Sequence, residues 1–236
     1  MDNPDSRPMV APSQGVHMVV DRSFMPGDSA LLVPKTRDGR VLFMVPWLGK
    51  LVLGTTDTPC DDLATERSAF HDEVEFILNE SARYLEKAPA RADVLSVWVG
   101  LRPLVRSDSE SSEDTKALSR EHTVVVGRSG LVTVTGGKWT TYRAMAEDVL
   151  SACIQNNLIE PQSVGTTAKL TLLGGATAGA RPPLWETPGF HSYGGEAEKV
   201  SGLPGADNTL TPGLTESMVR FAARHEYART VEDVLA

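Results

Sequence analysis

Between residues 16 and 57 the apolar positions come in short runs: VHMVV (16–20), ALLVP (30–34), RVLFMVPW (40–47) and KLVLGTTD (50–57). Runs this short, bounded by Gly, Asp and Pro, predict strands. Asp38-Gly39 separates the second run from the third, a hairpin signal because both residues tolerate positive φ. Leu48-Gly49 makes a second turn. The runs lie too close together for crossover helices, so they predict an antiparallel meander. The spacing changes after Ser68. Phe70, Val74, Ile77, Leu78, Ala82 and Leu85 share one helical face, with Ser68 as N-cap, Asp72 and Glu73 near the positive end of the helix dipole, and Pro89 as the stop.

VLSVWVG (94–100) returns to strand character and runs into LRPLV. The acidic, Ser-rich SDSESSEDTK (107–116) reads as a solvated loop. HTVVV (122–126), a Gly127–Gly130 turn and LVTVT (131–135) form a hairpin. After Gly137, Tyr142, Met145, Ala146, Val149, Leu150 and Cys153 mark a helical stripe. Residues 160–213 are rich in Gly, Pro and Thr and predict long loops. From near Thr215 a final helix carries Val219, Ala223, Tyr227, Val231, Val234 and Leu235 on one face. It ends mid-stripe without a capping Gly or Pro, which reads as a cut. The first 14 residues lack both an apolar core segment and an Arg-rich amphipathic pattern, so they read as a flexible leader. The fold class is α+β, an antiparallel sheet with packed helices. No internal repeat is visible.

Composition narrows the chemistry. With 31 acidic against 23 basic residues the net charge is −8, which argues against nucleic acid as a partner. A few local cations can still hold a small anion. The two cysteines, Cys60 and Cys153, fit neither a disulfide framework nor a zinc site, and they favour a reducing compartment. No metal site is expected. No run approaches the roughly 20 apolar residues that span a bilayer.

LVTVTGGKWTTYRAMAE (131–147) places a glycine pair where a strand turns into a helix. A P-loop is excluded: position 132 is Val where it needs Gly, and 139 is Trp where it needs Ser or Thr. GGATAG (174–179) has the glycine spacing but continues Ala180-Arg181, and GxGxxG is absent. A more general anion site at a helix N-terminus and a plain tight turn capped by Thr both fit. Arg102 in GLRPLV and Arg120 after the acidic loop flank strand ends, where a guanidinium can bind two oxygens of a phosphate or carboxylate, or form a surface ion pair. His17 can serve as a base or as a hydrogen-bonded strand residue. Thr55, Thr56 and Asp57 line a site or form a turn.

In order along the chain, GVHMVV, a strand bearing Pro-Trp, LGTTDT, GLRPLV, SREH, TGGKWTTYRAMAE and RFAARHEYARTVEDVL resemble the FAD-dependent glycerol-3-phosphate dehydrogenases, flavoproteins of the class that includes D-amino-acid oxidase. The resemblance runs from about residue 15 to the end and is weakest across 160–205. It implies oxidation of sn-glycerol 3-phosphate to dihydroxyacetone phosphate, with hydride transfer to FAD and a quinone as final acceptor. An oxidase of the same class and a non-catalytic phosphometabolite-binding module are the alternatives. The matching positions imply Arg102, Arg120 and Lys138 as a phosphate clamp, and Thr55 and His17 near the substrate. They imply His17 or Arg102 as base, and Gly136, Gly137, Lys138, Trp139 and Thr140 against the flavin.

SREH carries Glu121 where the family commonly has Asp, and the last helix lacks the basic stretch that usually follows it. The family's GxGxxG half is missing. The implied organisation is a leader (1–14), a substrate-binding sheet domain (15–127), a returning segment of the FAD-binding domain (128–159), a loop-rich linker (160–213) and the start of a C-terminal helical domain (214–236). By itself such a piece is expected neither to retain FAD nor to turn over substrate. The complete enzyme would sit in the cytoplasm against the inner membrane, with homodimerisation open.

Overall fold

The computed structural model describes residues 9–64, 67–105, 121–161, 165–175 and 183–235. A six-stranded antiparallel sheet is built around β1 (Val10–Asp21), which pairs with both β4 (Lys50–Gly54) and β6 (Ser96–Val105). β2 (Leu31–Val33) and β3 (Leu42–Trp47) extend the β4 edge, and the short β5 (Thr58–Pro59) pairs with the start of β1. The expected meander therefore holds for β2-β3-β4 only. β1 lies inside the sheet between β4 and β6, which no local turn signal encodes. β1 also begins at Val10, so part of the expected leader (10–14) belongs to the central strand.

Alternation gives the sheet two unlike faces. Val16, Met18, Val20, Leu42, Met44, Leu51 and Leu53 point one way and are fully buried. They pack against Val74, Ile77 and Leu78 of α1 (His71–Ser81) to form the main core. Each such side chain contributes about 1.5–3 kcal/mol by leaving water. The opposite face carries Gly15, His17, Phe43, Val45, Trp47, Val52, Gly54, Trp98, Gly100 and Arg102, and Phe43, Trp47 and Trp98 remain over 40% exposed. α1 starts at an N-cap of Phe70, not Ser68, and ends at Ser81, well before Pro89. The Glu73 carboxylate takes over the capping by accepting from the Phe70 N–H at 3.0 Å.

β7 (His122–Val126) and β8 (Val132–Gly136) form a separate two-stranded sheet, followed by α2 (Tyr142–Gln155). The boundary expected at 127–128 thus falls within the turn of one hairpin. None of the α2 residues is fully buried. Met145, Val149 and Cys153 are half-covered, while Tyr142, Ala146 and Leu150 face outward.

The segment 160–213 is not simply a loop. It contains α3 (Ala197–Ser201) and β9 (Thr209–Thr211), and the latter pairs with β10 (Leu214–Thr215). Leu184 and Trp185 accept backbone hydrogen bonds from the Leu48-Gly49 turn. α4 (Glu216–His225) buries Met218 and Phe221 against Val200 of α3, and Ala222 is buried as well, whereas the expected stripe was Val219, Ala223 and Tyr227. Tyr227 takes a positive φ of 62°, and α5 (Val231–Leu235) follows as a separate helix.

Candidate functional site

The outward face of the sheet brings together three of the residues singled out from the sequence. Ser13 on β1 pairs in register with Arg102 on β6, and His17 pairs with Trp98 on β6 and Gly54 on β4. Arg102 extends over the β1 backbone at Gly15, where any Cβ would overlap the guanidinium. Its Nη1 donates to the Thr56 carbonyl at 2.9 Å and its Nη2 to Thr55 Oγ1 at 2.7 Å. The Asp57 carboxylate lies 4.0 Å from Nη1. Arg102 is therefore not a loose surface ion pair. The 55–57 loop holds its fork in one plane.

The His17 ring stacks on Trp98, with centroids 5.3 Å apart and planes 12° from parallel. Gly54 makes this possible, since a Cβ there would stand 2.5 Å from His17 Cδ2. Desolvation, and then the Arg102 cation, hold the imidazole below its ordinary pKa of 6.5. The ring is thus neutral, and able to accept a proton, at neutral pH. His17, Phe43, Val45, Trp47, Val52, Gly54 and Trp98 line an open, largely apolar groove of about 470 Å³.

The His17 shift has a measurable consequence. Between the lowered folded pKa and the unfolded value near 6.5, the unfolded chain binds more protons than the folded one. The corresponding stability is present in full above pH of about 6.5 and declines as the pH falls toward the folded pKa. In His17→Gln, melting temperature should fall less steeply with acidification across that window. Equal slopes in the two proteins would show that His17 does not titrate abnormally.

A buried polar cluster lies under the loop. Ser13 Oγ donates to the Asp57 carboxylate, and Thr56 Oγ1 accepts from the Val16 N–H at 3.0 Å. Glu73 accepts from Thr56 Oγ1, Thr58 Oγ1 and Gln14 Nε2 at 2.9, 2.7 and 2.6 Å. Gln14 Oε1 in turn accepts from Arg67 Nε at 2.8 Å. Sequence reasoning passed over Gln14 and gave Glu73 only a dipole role. The available signal was a carboxylate three residues beyond a helix N-cap, placed to reach back to the preceding chain.

The glycine turn sits elsewhere. Gly136 and Gly137 both adopt positive φ, 76° and 81°. A Cβ on Gly136 would meet the Glu121 carbonyl at 2.6 Å and Val105 Cγ2 at 2.7 Å, and one on Gly137 would meet Met145 Sδ at 2.6 Å. Close packing within the chain accounts for both glycines. Thr141, rather than Thr140, closes the turn by donating from Oγ1 to the Lys138 carbonyl at 3.0 Å. Lys138, Trp139 and Thr140 are exposed. Gly136 touches Val105, three residues beyond Arg102 on β6 and about 10 Å along the strand. Arg120 lies outside the described residues. Among the described residues there is no cluster of metal-ligating side chains and no helix long and apolar enough to cross a membrane.

Known proteins are similar to this chain in sequence and, over part of its length, in fold. The chain is 38% identical to the mitochondrial glycerol-3-phosphate dehydrogenase of Arabidopsis thaliana over 100% of its own length and 42% of that protein. It is 42% identical to the mitochondrial glycerol-3-phosphate dehydrogenase of Homo sapiens over 74% of its length and 24% of the relative. The chain thus spans less than half of the curated relatives it matches. The crystal structure of glycerol-3-phosphate dehydrogenase from Bacillus halodurans complexed with FAD superposes with a TM-score of 0.57 at 34% identity, covering 71% of this chain and 31% of that one. Residues 1–143 match the profile described as FAD dependent oxidoreductase, and the chain belongs to that family.

Proposed function

We propose that this chain supplies the substrate-binding sheet of an FAD-linked enzyme that oxidises sn-glycerol 3-phosphate to dihydroxyacetone phosphate. The observation that carries this is the convergence of Arg102, Thr55 and His17 on one open face of the sheet. A phosphate ester needs a fixed cation, and the loop bonds set the Arg102 fork before any ligand arrives. Lys138 and Arg120 join the clamp through their match to the family pattern. Thr55 Oγ1 accepts from Arg102 and donates its own proton to the Thr56 carbonyl at 3.1 Å, so it braces the guanidinium beside the substrate position.

Removing hydrogen from a secondary alcohol separates it into a hydride from carbon and a proton from oxygen. FAD, when bound, supplies the two-electron acceptor. His17 takes the proton, because its lowered pKa keeps it neutral beside a permanent cation. Arg102 binds and orients.

The fit to the cofactor is partial. The flat apolar groove of Phe43, Trp47 and Trp98 suits a planar ring system, and Gly15 and Gly54 keep the adjoining backbone low. No GxGxxG occurs in the sequence to hold a diphosphate. The outward apolar side chains of α2 and of the β7–β8 hairpin, Tyr142, Leu150, Val125 and Val134, suit a covering by the remainder of a dinucleotide-binding domain. Reoxidation by a quinone and peripheral contact with a membrane belong to the complete enzyme. On this reading the 236-residue chain, purified alone, shows no flavin spectrum, and the complete enzyme retains FAD and reduces an artificial dye with sn-glycerol 3-phosphate. Flavin bound stoichiometrically to the isolated chain, or a complete enzyme inert toward this substrate, would overturn it.

A further inference from the structure

Glu73 has no part in the chemistry described above, yet its carboxylate is heavily hydrogen-bonded. It is buried at 5% exposure on the helix side of the sheet, opposite Arg102. Four donors converge on its two oxygens. Gln14 Nε2 and the Phe70 N–H share Oε2, at 2.6 and 3.0 Å, and the hydroxyls of Thr56 and Thr58 share Oε1, at 2.9 and 2.7 Å. Only a carboxylate offers acceptors on both atoms. A glutamine would set an NH₂ against donors already in place on one side or the other, and a buried mismatch of this kind strains the whole cluster.

Thr56 connects the two sides of the sheet. Its hydroxyl donates to Glu73 while accepting from the Val16 N–H, and its carbonyl accepts from Arg102 Nη1. Thr55, which accepts from Arg102 Nη2, is the adjacent residue. A shift of the Thr56 hydroxyl therefore moves the two oxygens that orient the guanidinium.

We propose that Glu73 is a positioning residue for the substrate phosphate. From beneath the sheet it fixes residues 55–58, and through Thr56 it sets the plane of Arg102. The proposal rests on Arg102 being the phosphate clamp. Misorienting a clamp that holds ground state and transition state alike raises KM more than it lowers kcat.

The test uses the complete enzyme with its FAD. Glu73→Gln should raise KM for sn-glycerol 3-phosphate by about tenfold while kcat changes by less than about threefold. Thr56→Val, which breaks the same link one bond later, should give a similar split. Val74→Ala is the destabilising control. It lies on the same helix and is buried in the core, but it makes none of these bonds, and its KM should stay at the wild-type value at a temperature where all variants are folded. An unchanged KM in Glu73→Gln overturns the proposal, as does an equal rise in Val74→Ala, which would indicate general loosening. If Glu73→Gln does not fold, Thr56→Val against Val74→Ala decides by the same criterion. A wild-type enzyme that does not oxidise sn-glycerol 3-phosphate would instead refute the assigned reaction, an outcome separate from any comparison among variants.

Discussion

Replacing Arg102 by Ala in the complete enzyme should lower kcat/KM for sn-glycerol 3-phosphate by about 10²–10³-fold while leaving FAD bound. Truncating one member of a hydrogen-bonded charge pair costs about 2–5 kcal/mol, and each 1.4 kcal/mol is about tenfold. Removing Arg102 deletes the cation and also releases Thr55 and Thr56, which its two nitrogens hold at 2.7 and 2.9 Å. Arg102→Lys should recover only a small part of the loss, because a single ammonium cannot bond both loop oxygens from a planar fork. Steady-state kinetics with flavin content measured on the same samples checks this. Full activity in Arg102→Lys would mean that charge alone matters and that the loop bonds are incidental.

Gly15→Ala should be nearly as damaging to activity and almost silent in stability. The added Cβ would overlap the Arg102 guanidinium. Since the displaced group is the far end of a flexible side chain, the protein responds by swinging it away rather than by moving β1. Gly15 does not occupy a left-handed backbone conformation, so the substitution adds no backbone strain. Folding stability should therefore change by no more than about 1 kcal/mol, while kcat/KM falls by about 10²-fold through misplacement of the clamp. Thermal melting and kinetics on one preparation separate these outcomes. A large drop in melting temperature would show that Gly15 serves the sheet rather than the site.

The strands were readable as short apolar runs, but the two faces of the sheet were not, because residues 41–47 are apolar throughout. Phe43, Val45 and Trp47 fall on one side of β3, and Leu42, Met44 and Pro46 on the other. The beginning of β1 was hidden because its buried positions are polar. Ser13 and Gln14 are fully buried, and their partners Asp57 and Glu73 lie 44 and 59 residues away. An apolar-periodicity reading has no means of recognising a polar residue whose burial is compensated at that distance. The same applies to the central place of β1, which depends on pairing with β4 and β6. In the C-terminal helix, the Val219/Ala223/Tyr227 stripe fails because Tyr227 leaves the helix, and packing against Val200 and Tyr193 selects Met218 and Phe221 instead. Candidate chemistry fared similarly. Arg102, Thr55 and His17 meet because strand pairing brings them together, whereas the glycine pair at 136–137 is first of all a packing device of the hairpin and α2.

The decisive measurement is an anaerobic titration of the complete enzyme with sn-glycerol 3-phosphate, following the oxidised flavin absorbance. Bleaching to the two-electron reduced form by glycerol 3-phosphate, no bleaching by glycerol at the same concentration over the same time, and bleaching slowed by about 10²-fold or more in Arg102→Ala would establish that this sheet recognises the phosphate of the substrate. Equal bleaching by glycerol, or none by either compound, would contradict the assignment.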